Sequence, residues 1–155
     1  REGRFRPRVG QDSRRRRPRR RFGEGLVTGL SREQPVEGGV AAAMYADSHR
    51  DRVSGLILLG SYPAGSNDLS DADLDVLSMY AEFDGLTLLS DIEESRALLP
   101  DDAIFEMITG GNHAGFGLYG DQAGDGTAEI SALAQQTWMI LRTLAFLEQS
   151  GSSSD

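Results

Sequence analysis

Val53-Ser-Gly-Leu-Ile-Leu-Leu-Gly60 is an apolar run of strand length bounded by glycine. A strand with one face in water alternates apolar and polar residues, whereas an unbroken apolar run has both faces covered. A fold for this chain must therefore place protein on both sides of that strand, as a parallel sheet flanked by helices does. The sequence just before it agrees. Gly38-Gly-Val-Ala-Ala-Ala-Met-Tyr-Ala46 offers a helix whose small side chains allow close packing, and residues 47–52 make a polar turn. Helix, short loop and buried strand are half of a βαβ unit.

The pattern repeats downstream. Residues 61–73 are a connection rich in Pro, Gly, Asn and Asp; 75–82 read as a second strand, 92–99 as a helix stopped by Pro100, and 103–109 as a third strand. Ile130, Leu133, Ala134, Thr137, Trp138, Leu141, Leu144 and Ala145 recur at helical spacing, which predicts a helix over 130–149. The expectation is an α/β fold: a partial parallel sheet of about three strands (53–60, 75–82, 103–109) with flanking helices. The 155 residues leave room for one modest domain. It is expected over 26–150, after an arm at 1–25 and before a polar tail at 151–155.

Charge divides the chain more sharply than its net value of −8 suggests. The first 32 residues hold twelve of the 16 basic side chains, all arginine, against Glu2, Asp12 and Glu24, a net +9; the remainder carries −17. Arg14-Arg-Arg-Arg-Pro-Arg-Arg-Arg21 repels itself and has no apolar period, so the arm is expected to be disordered alone. Clustered guanidinium groups could recruit phosphates or an acidic partner. With no aromatic interleaving beyond Phe5 and Phe22 and no attached binding fold, nucleic acid is the weaker expectation. A solvated tail and a segment read from a shifted frame are the alternatives.

The absence of cysteine excludes disulfides and thiolate metal sites, and no cofactor or metal is expected. No apolar run approaches the ~18 residues that a membrane-spanning helix needs. The chain begins at Arg1, so it is expected to be a processed or partial product, and localisation stays open.

Two side chains stand where strands deliver chemistry. Leu77-Ser-Met-Tyr-Ala-Glu-Phe-Asp84 ends a strand on a carboxylate, and Ile104-Phe-Glu-Met-Ile-Thr-Gly-Gly-Asn-His113 ends one on an imidazole after glycines. In a parallel sheet both emerge at the carboxyl edge, where such sheets bind ligands. A carboxylate followed by a histidine is the second half of the Ser, Asp, His chain order. Structural alternatives exist for each: Asp84-Gly85 is an ordinary turn pair, and His113 could be a loop residue beside Asn112. His49, in the polar turn Asp47-Ser-His-Arg-Asp-Arg52, has no strand behind it and reads as a surface residue.

These segments carry a resemblance. Gly38-Gly-Val-Ala-Ala-Ala-Met-Tyr-Ala46, Asp51-Arg-Val-Ser-Gly-Leu-Ile-Leu-Leu-Gly-Ser-Tyr-Pro-Ala64, Asp84-Gly-Leu86, Glu94-Ser-Arg-Ala-Leu-Leu-Pro100 and above all Gly110-Gly-Asn-His-Ala-Gly-Phe-Gly-Leu-Tyr-Gly-Asp-Gln-Ala-Gly-Asp-Gly126 resemble the C-terminal half of α/β-hydrolases of the dienelactone-hydrolase-like, fold-5 type. The resemblance covers about three quarters of the chain and implies an esterase-like hydrolase acting on a small-molecule ester or related acyl bond, with Asp84 and His113 in the triad positions. It also exposes a departure. The family's Gly-His-Ser-Leu before the glycine pair falls on Gln34, Pro35, Val36 and Glu37, so Val36 occupies the nucleophile position.

One repair remains. Leu26-Val-Thr-Gly-Leu-Ser31 reads as a strand ending in Gly-x-Ser, which makes Ser31 the alternative nucleophile, with 32–37 as an insertion. Glu33 then stands where the elbow needs a small residue. The expectation is a truncated or degenerate serine-type hydrolase, weak or inactive as this chain. The alternative is a non-catalytic scaffold whose arginine arm binds nucleic acid or an acidic partner. Oligomeric state is not encoded legibly.

Overall fold

The computed structural model describes residues 26–29 and 35–151. Four strands form one parallel sheet in sequence order: β1 (Leu26–Gly29), β2 (Gly55–Leu59), β3 (Asp75–Ala81) and β4 (Ile104–Ile108). Helix α1 (Pro35–Ser48) joins β1 to β2, α2 (Leu89–Ser95) and a 3-10 turn (Arg96–Leu98) lie between β3 and β4, and α3 (Ala132–Gly151) closes the order. The sheet has one strand more than the expected three, because Leu26–Gly29 pairs with β2 from Leu26↔Gly55 to Gly29↔Leu58. Four residues are too few to show a sheet period in sequence. The partner strand supplies what the pattern lacks.

Strand order places the helices. Parallel neighbours need crossovers, and crossovers are right-handed. Three in succession along one direction of the sheet fall on the same face, and only a helix after the last strand can cover the other. The two cores follow this rule. On one face Leu56, Leu58 and Val76 pack with Ala42, Ala43 and Ala46 of α1 and with Leu69, Leu74 and Leu99 of the connections. On the other, Ile57, Leu77, Met79 and Ile108 pack with Met139 and Phe146 of α3. Leu56 and Ile57 are neighbours in sequence and buried in opposite cores, so the unbroken apolar run does have both faces covered.

The alanines and glycines of α1 let it approach closely. A Cβ at Gly39 would lie 2.5 Å from the Ser61 side chain, so the start of α1 sits against the chain leaving β2. The helix predicted at 92–99 begins earlier, at Leu89, where the Asp91 carboxylate accepts the Leu88 N–H at 3.1 Å. It tightens into the 3-10 turn before Pro100.

Helix α3 buries a different row from the one its apolar spacing suggests. Gln135, Met139, Phe146 and Ser150 face inward, while Leu133, Ile140, Leu141 and Leu144 are 75%, 57%, 60% and 52% exposed. Met139 and Phe146 enter the apolar core with Trp138 and Leu147 beside them, and Gln135 on the same side bonds the loop before His113 through its amide. No helix among the described residues is long and apolar enough to cross a membrane.

Candidate functional site

Asp84 and His113 meet at the carboxyl edge of the sheet. The His113 Nδ1 lies 2.8 Å from Asp84 Oδ2, and the two side chains are 1% and 0% exposed. Because a carboxylate only accepts, Nδ1 carries the proton in this contact, which leaves Nε2 of the neutral ring with its lone pair. Phe116 stands edge-on to the imidazole, with ring centroids 6.0 Å apart. Two residues 29 positions apart in the chain are thus brought into one buried contact.

Each side chain is fixed by backbone geometry set just past its strand. Sheet pairing continues beyond β3, where the Phe83 N–H donates to Gly111 O at 2.9 Å and so ties the two strand ends together. Asp84 then turns back on its own loop, its Oδ1 accepting the Leu86 and Thr87 N–H groups at 2.9 and 2.7 Å. That arrangement is an Asx turn, and it commits one oxygen to the loop while leaving Oδ2 for the imidazole. Thr87 Oγ1 donates to Gly60 O at 2.7 Å and locks the acid loop to the end of β2. Gly60 itself has φ +51°, and a Cβ there would lie 2.8 Å from the Phe116 ring and 3.2 Å from Asp84 Oδ2. Only glycine leaves room for both.

The loop that carries His113 is braced from α3. Gln135 accepts the Asn112 N–H at 3.2 Å and donates to Asn112 O at 2.9 Å, and Gln136 donates to Gly115 O and Phe116 O at 2.6 and 2.8 Å. Asn112 does cap locally, its Oδ1 accepting the Gly115 N–H at 3.1 Å, but His113 points inward to the acid. Neither glutamine was singled out from sequence. They lie on a helix whose apolar spacing drew attention to other positions.

Tyr62 follows β2 at the same edge. Burial pushes its phenol above the ordinary range, and the neighbouring Asp91 carboxylate adds to the shift by charge and hydrogen bonding. His49 lies at the opposite end of α1, stacked on Tyr45 with centroids 4.1 Å apart, its Nδ1 2.9 Å from Tyr45 O. It takes no part in the site. Ser31 and the arginine-rich segment at 1–25 lie outside the described residues, as does 152–155. The backbone of Val36 is the second residue of α1.

A parallel sheet in sequence order, covered on both faces, is an α/β fold. A model of the alpha/beta hydrolase family matches residues 34–137, and the chain belongs to that family. Among solved structures it is similar to a protein described as a CIB-like hydrolase from Thermoplasma acidophilum, at 16% identity and a TM-score of 0.53 over 77% of this chain and 51% of that one. It is also similar to one described as a dienelactone hydrolase from Klebsiella pneumoniae, at 20% identity and a TM-score of 0.52 over 80% of this chain and 51% of that one. At these identities the likeness is one of fold. The chain spans about half the length of these solved relatives. Comparison with curated proteins gives no match.

Proposed function

We propose that the site is built for serine-type hydrolysis of an ester or related acyl bond in a small molecule, and that this chain alone is a weak or inactive form of such an enzyme. The observation that carries the first part is the 2.8 Å contact between the buried His113 Nδ1 and Asp84 Oδ2 at the carboxyl edge of the sheet. In the proposed reaction a hydroxyl attacks the acyl carbonyl as its proton passes to His113 Nε2. The imidazolium is stabilised by Asp84 and returns the proton to the leaving group as the tetrahedral adduct collapses. Water, deprotonated by the same nitrogen, then attacks the acyl intermediate, and the imidazolium returns that proton to the departing nucleophile oxygen as the carboxylic acid is released. Backbone N–H groups have to receive the oxyanion in both halves.

The second part rests on Val36. By resemblance it holds the nucleophile position, and a valine cannot attack a carbonyl. Membership of the hydrolase family supports the reaction class, and the pairing of Asp84 with His113 supports their roles.

A fluorophosphonate probe with p-nitrophenyl esters tests both parts. The expected outcome is no labelling of the native chain, labelling at residue 36 in Val36→Ser, and loss of that labelling when His113→Ala is added. Native labelling that disappears in Ser31→Ala would restore Ser31 as nucleophile and overturn the inactive reading. Failure of Val36→Ser to react would remove residue 36 from the nucleophile position.

A further inference from the structure

The acid and base loops share a second carboxylate, that of Asp125. Asp125 Oδ1 accepts N–H groups of Gly85 at 3.2 Å, His113 at 3.1 Å and its own neighbour Gly126 at 2.8 Å, while Oδ2 accepts that of Ala114 at 2.8 Å. Gly85 follows the acid directly, His113 is the base, and Ala114 follows the base. One side chain therefore fixes the backbone on both sides of the His113 to Asp84 contact, from a loop that contains neither residue.

The backbone around Asp125 is fitted to the same purpose. A Cβ on Gly85 would fall 2.1 Å from Gly124 O, and one on Gly126 would fall 2.0 Å from Phe83 O. Real Cβ atoms do not approach so closely, so the Gly124 to Gly126 turn lies in backbone contact with the acid loop because glycines face each other there. Asn112 Nδ2 donates to Gly126 O at 2.8 Å and ties the turn to the base loop as well. A single carboxylate can accept four N–H groups, whereas a neutral side chain of the same size cannot satisfy them all.

We propose that Asp125 is a positioning residue of the site, which sets the separation and alignment of Asp84 and His113 by holding the backbone of both loops on one carboxylate. The proposal rests on the acid and base reading above. It assigns Asp125 no contact with substrate. Its effect passes through the imidazole: with the brace removed the two loops separate, the Nδ1 hydrogen bond lengthens, and His113 loses its fixed tautomer and direction.

The chain has two histidines, so imidazole resonances in a long-range proton and nitrogen NMR spectrum are assignable by His49→Ala. In the full native chain the His113 Nδ1 proton should resonate far downfield and exchange slowly with water. Asp125→Ala should speed that exchange by on the order of tenfold or more, the consequence of losing hydrogen bonds to a charged acceptor. Asp125→Asn should recover part of the protection, because the amide oxygen can serve the Oδ1 donors while its NH2 opposes the Ala114 N–H. Leu69→Ala, which opens the core on the far face of the sheet, should lower stability without moving the His113 signal.

Native-like exchange in Asp125→Ala overturns the proposal. An equal acceleration in Leu69→Ala overturns it too, since Asp125 would then act through global stability alone. If Asp125→Ala does not fold, Asp125→Asn decides: faster exchange in a folded protein supports positioning, and unchanged exchange refutes it. A native chain without a protected Nδ1 proton would sink the acid and base reading itself before any variant is compared. Absence of probe labelling in Val36→Ser with the NMR pattern intact would remove only the hydrolytic function.

Discussion

The two histidines follow different kinds of element, His49 a helix and His113 a strand, and differ in what holds the imidazole. His49 ends α1 in a polar turn, bonded to the carbonyl four residues back and stacked on Tyr45, all within one turn of its own helix. His113 follows β4, and its polar partners come from elsewhere: Asp84 from the loop after β3 and Asp125 from the following loop, with Gln135 of α3 holding the backbone of the preceding Asn112. Local partners hold a ring in place without giving it a neighbour that changes its chemistry. A strand end can deliver the ring into contact with groups from distant parts of the chain, and burial then makes that contact count.

The largest expected difference between the two histidines is in stability. His113→Ala leaves the Asp84 carboxylate buried with its two loop N–H donors and no imidazole, and losing a hydrogen bond to a buried charged acceptor costs about 1.5–3 kcal/mol. Urea unfolding of the variant should show a matching fall in midpoint at unchanged slope. A loss below about 1 kcal/mol would mean that water reaches Asp84 or that its loop relaxes, and the contrast with His49 would collapse.

Gly60→Ala sharpens the comparison without touching either ionisable group. The substitution forces a side chain into a left-handed backbone and against both Phe116 and Asp84 Oδ2. Strain of this kind costs about 1–3 kcal/mol, and relief by moving Phe116 would disturb the ring beside His113. The expected outcome is a lowered unfolding midpoint together with a shifted His113 imidazole resonance and an unmoved His49 resonance. Movement of both signals would place the strain in the whole fold.

The parts legible in sequence are those where one residue type meets one physical demand. The run through β2 demanded two covered faces, and it has them. Asp84 and His113 were readable because each follows an apolar strand, and the parallel sheet brings such ends to one edge. Strand β1 was thin in sequence because four residues depend on their partner for identity. The inward face of α3 was not readable because its apolar residues occupy more than one face, and the buried row includes a polar residue, Gln135, bonded to a loop. Asp125 stood in the segment that carries the resemblance, but nothing about an aspartate between two glycines says that four N–H groups converge on it. Sequence shows which residues are present at a strand end. It does not show which backbone donors will face them.

Around His49 the expected effects are smaller and depend on acid. Arg50 donates to Asp47, to Asp71 at 2.6 Å and to Asp68 O at 2.7 Å, tying the end of α1 to the connection that follows β2. The hydrogen bond and charge of Arg50 hold Asp71 below its ordinary range, and bonds from Ser70, with a lesser part from Arg50, hold Asp68 below its own. A carboxyl depressed on folding contributes stability above its unfolded pKa and loses it as pH falls through the lower folded value. The gap in melting temperature between the native chain and Arg50→Gln should therefore be small near neutrality and close below about pH 4. A gap that persists in acid would assign Arg50 a packing role instead.

The smallest effect expected is His49→Ala. The ring stacks on a tyrosine that is itself 44% exposed, and its Nδ1 bonds a carbonyl that the helix end leaves open to water. Losing both should change stability by no more than about 0.5 kcal/mol, the range of surface substitutions away from caps and cores. Urea unfolding of this variant beside His113→Ala reads the comparison directly. An equal loss at His49 would show that a ring held only by its own helix can matter as much as one held from distant loops. The argument from strand-end delivery would then fail at its simplest point.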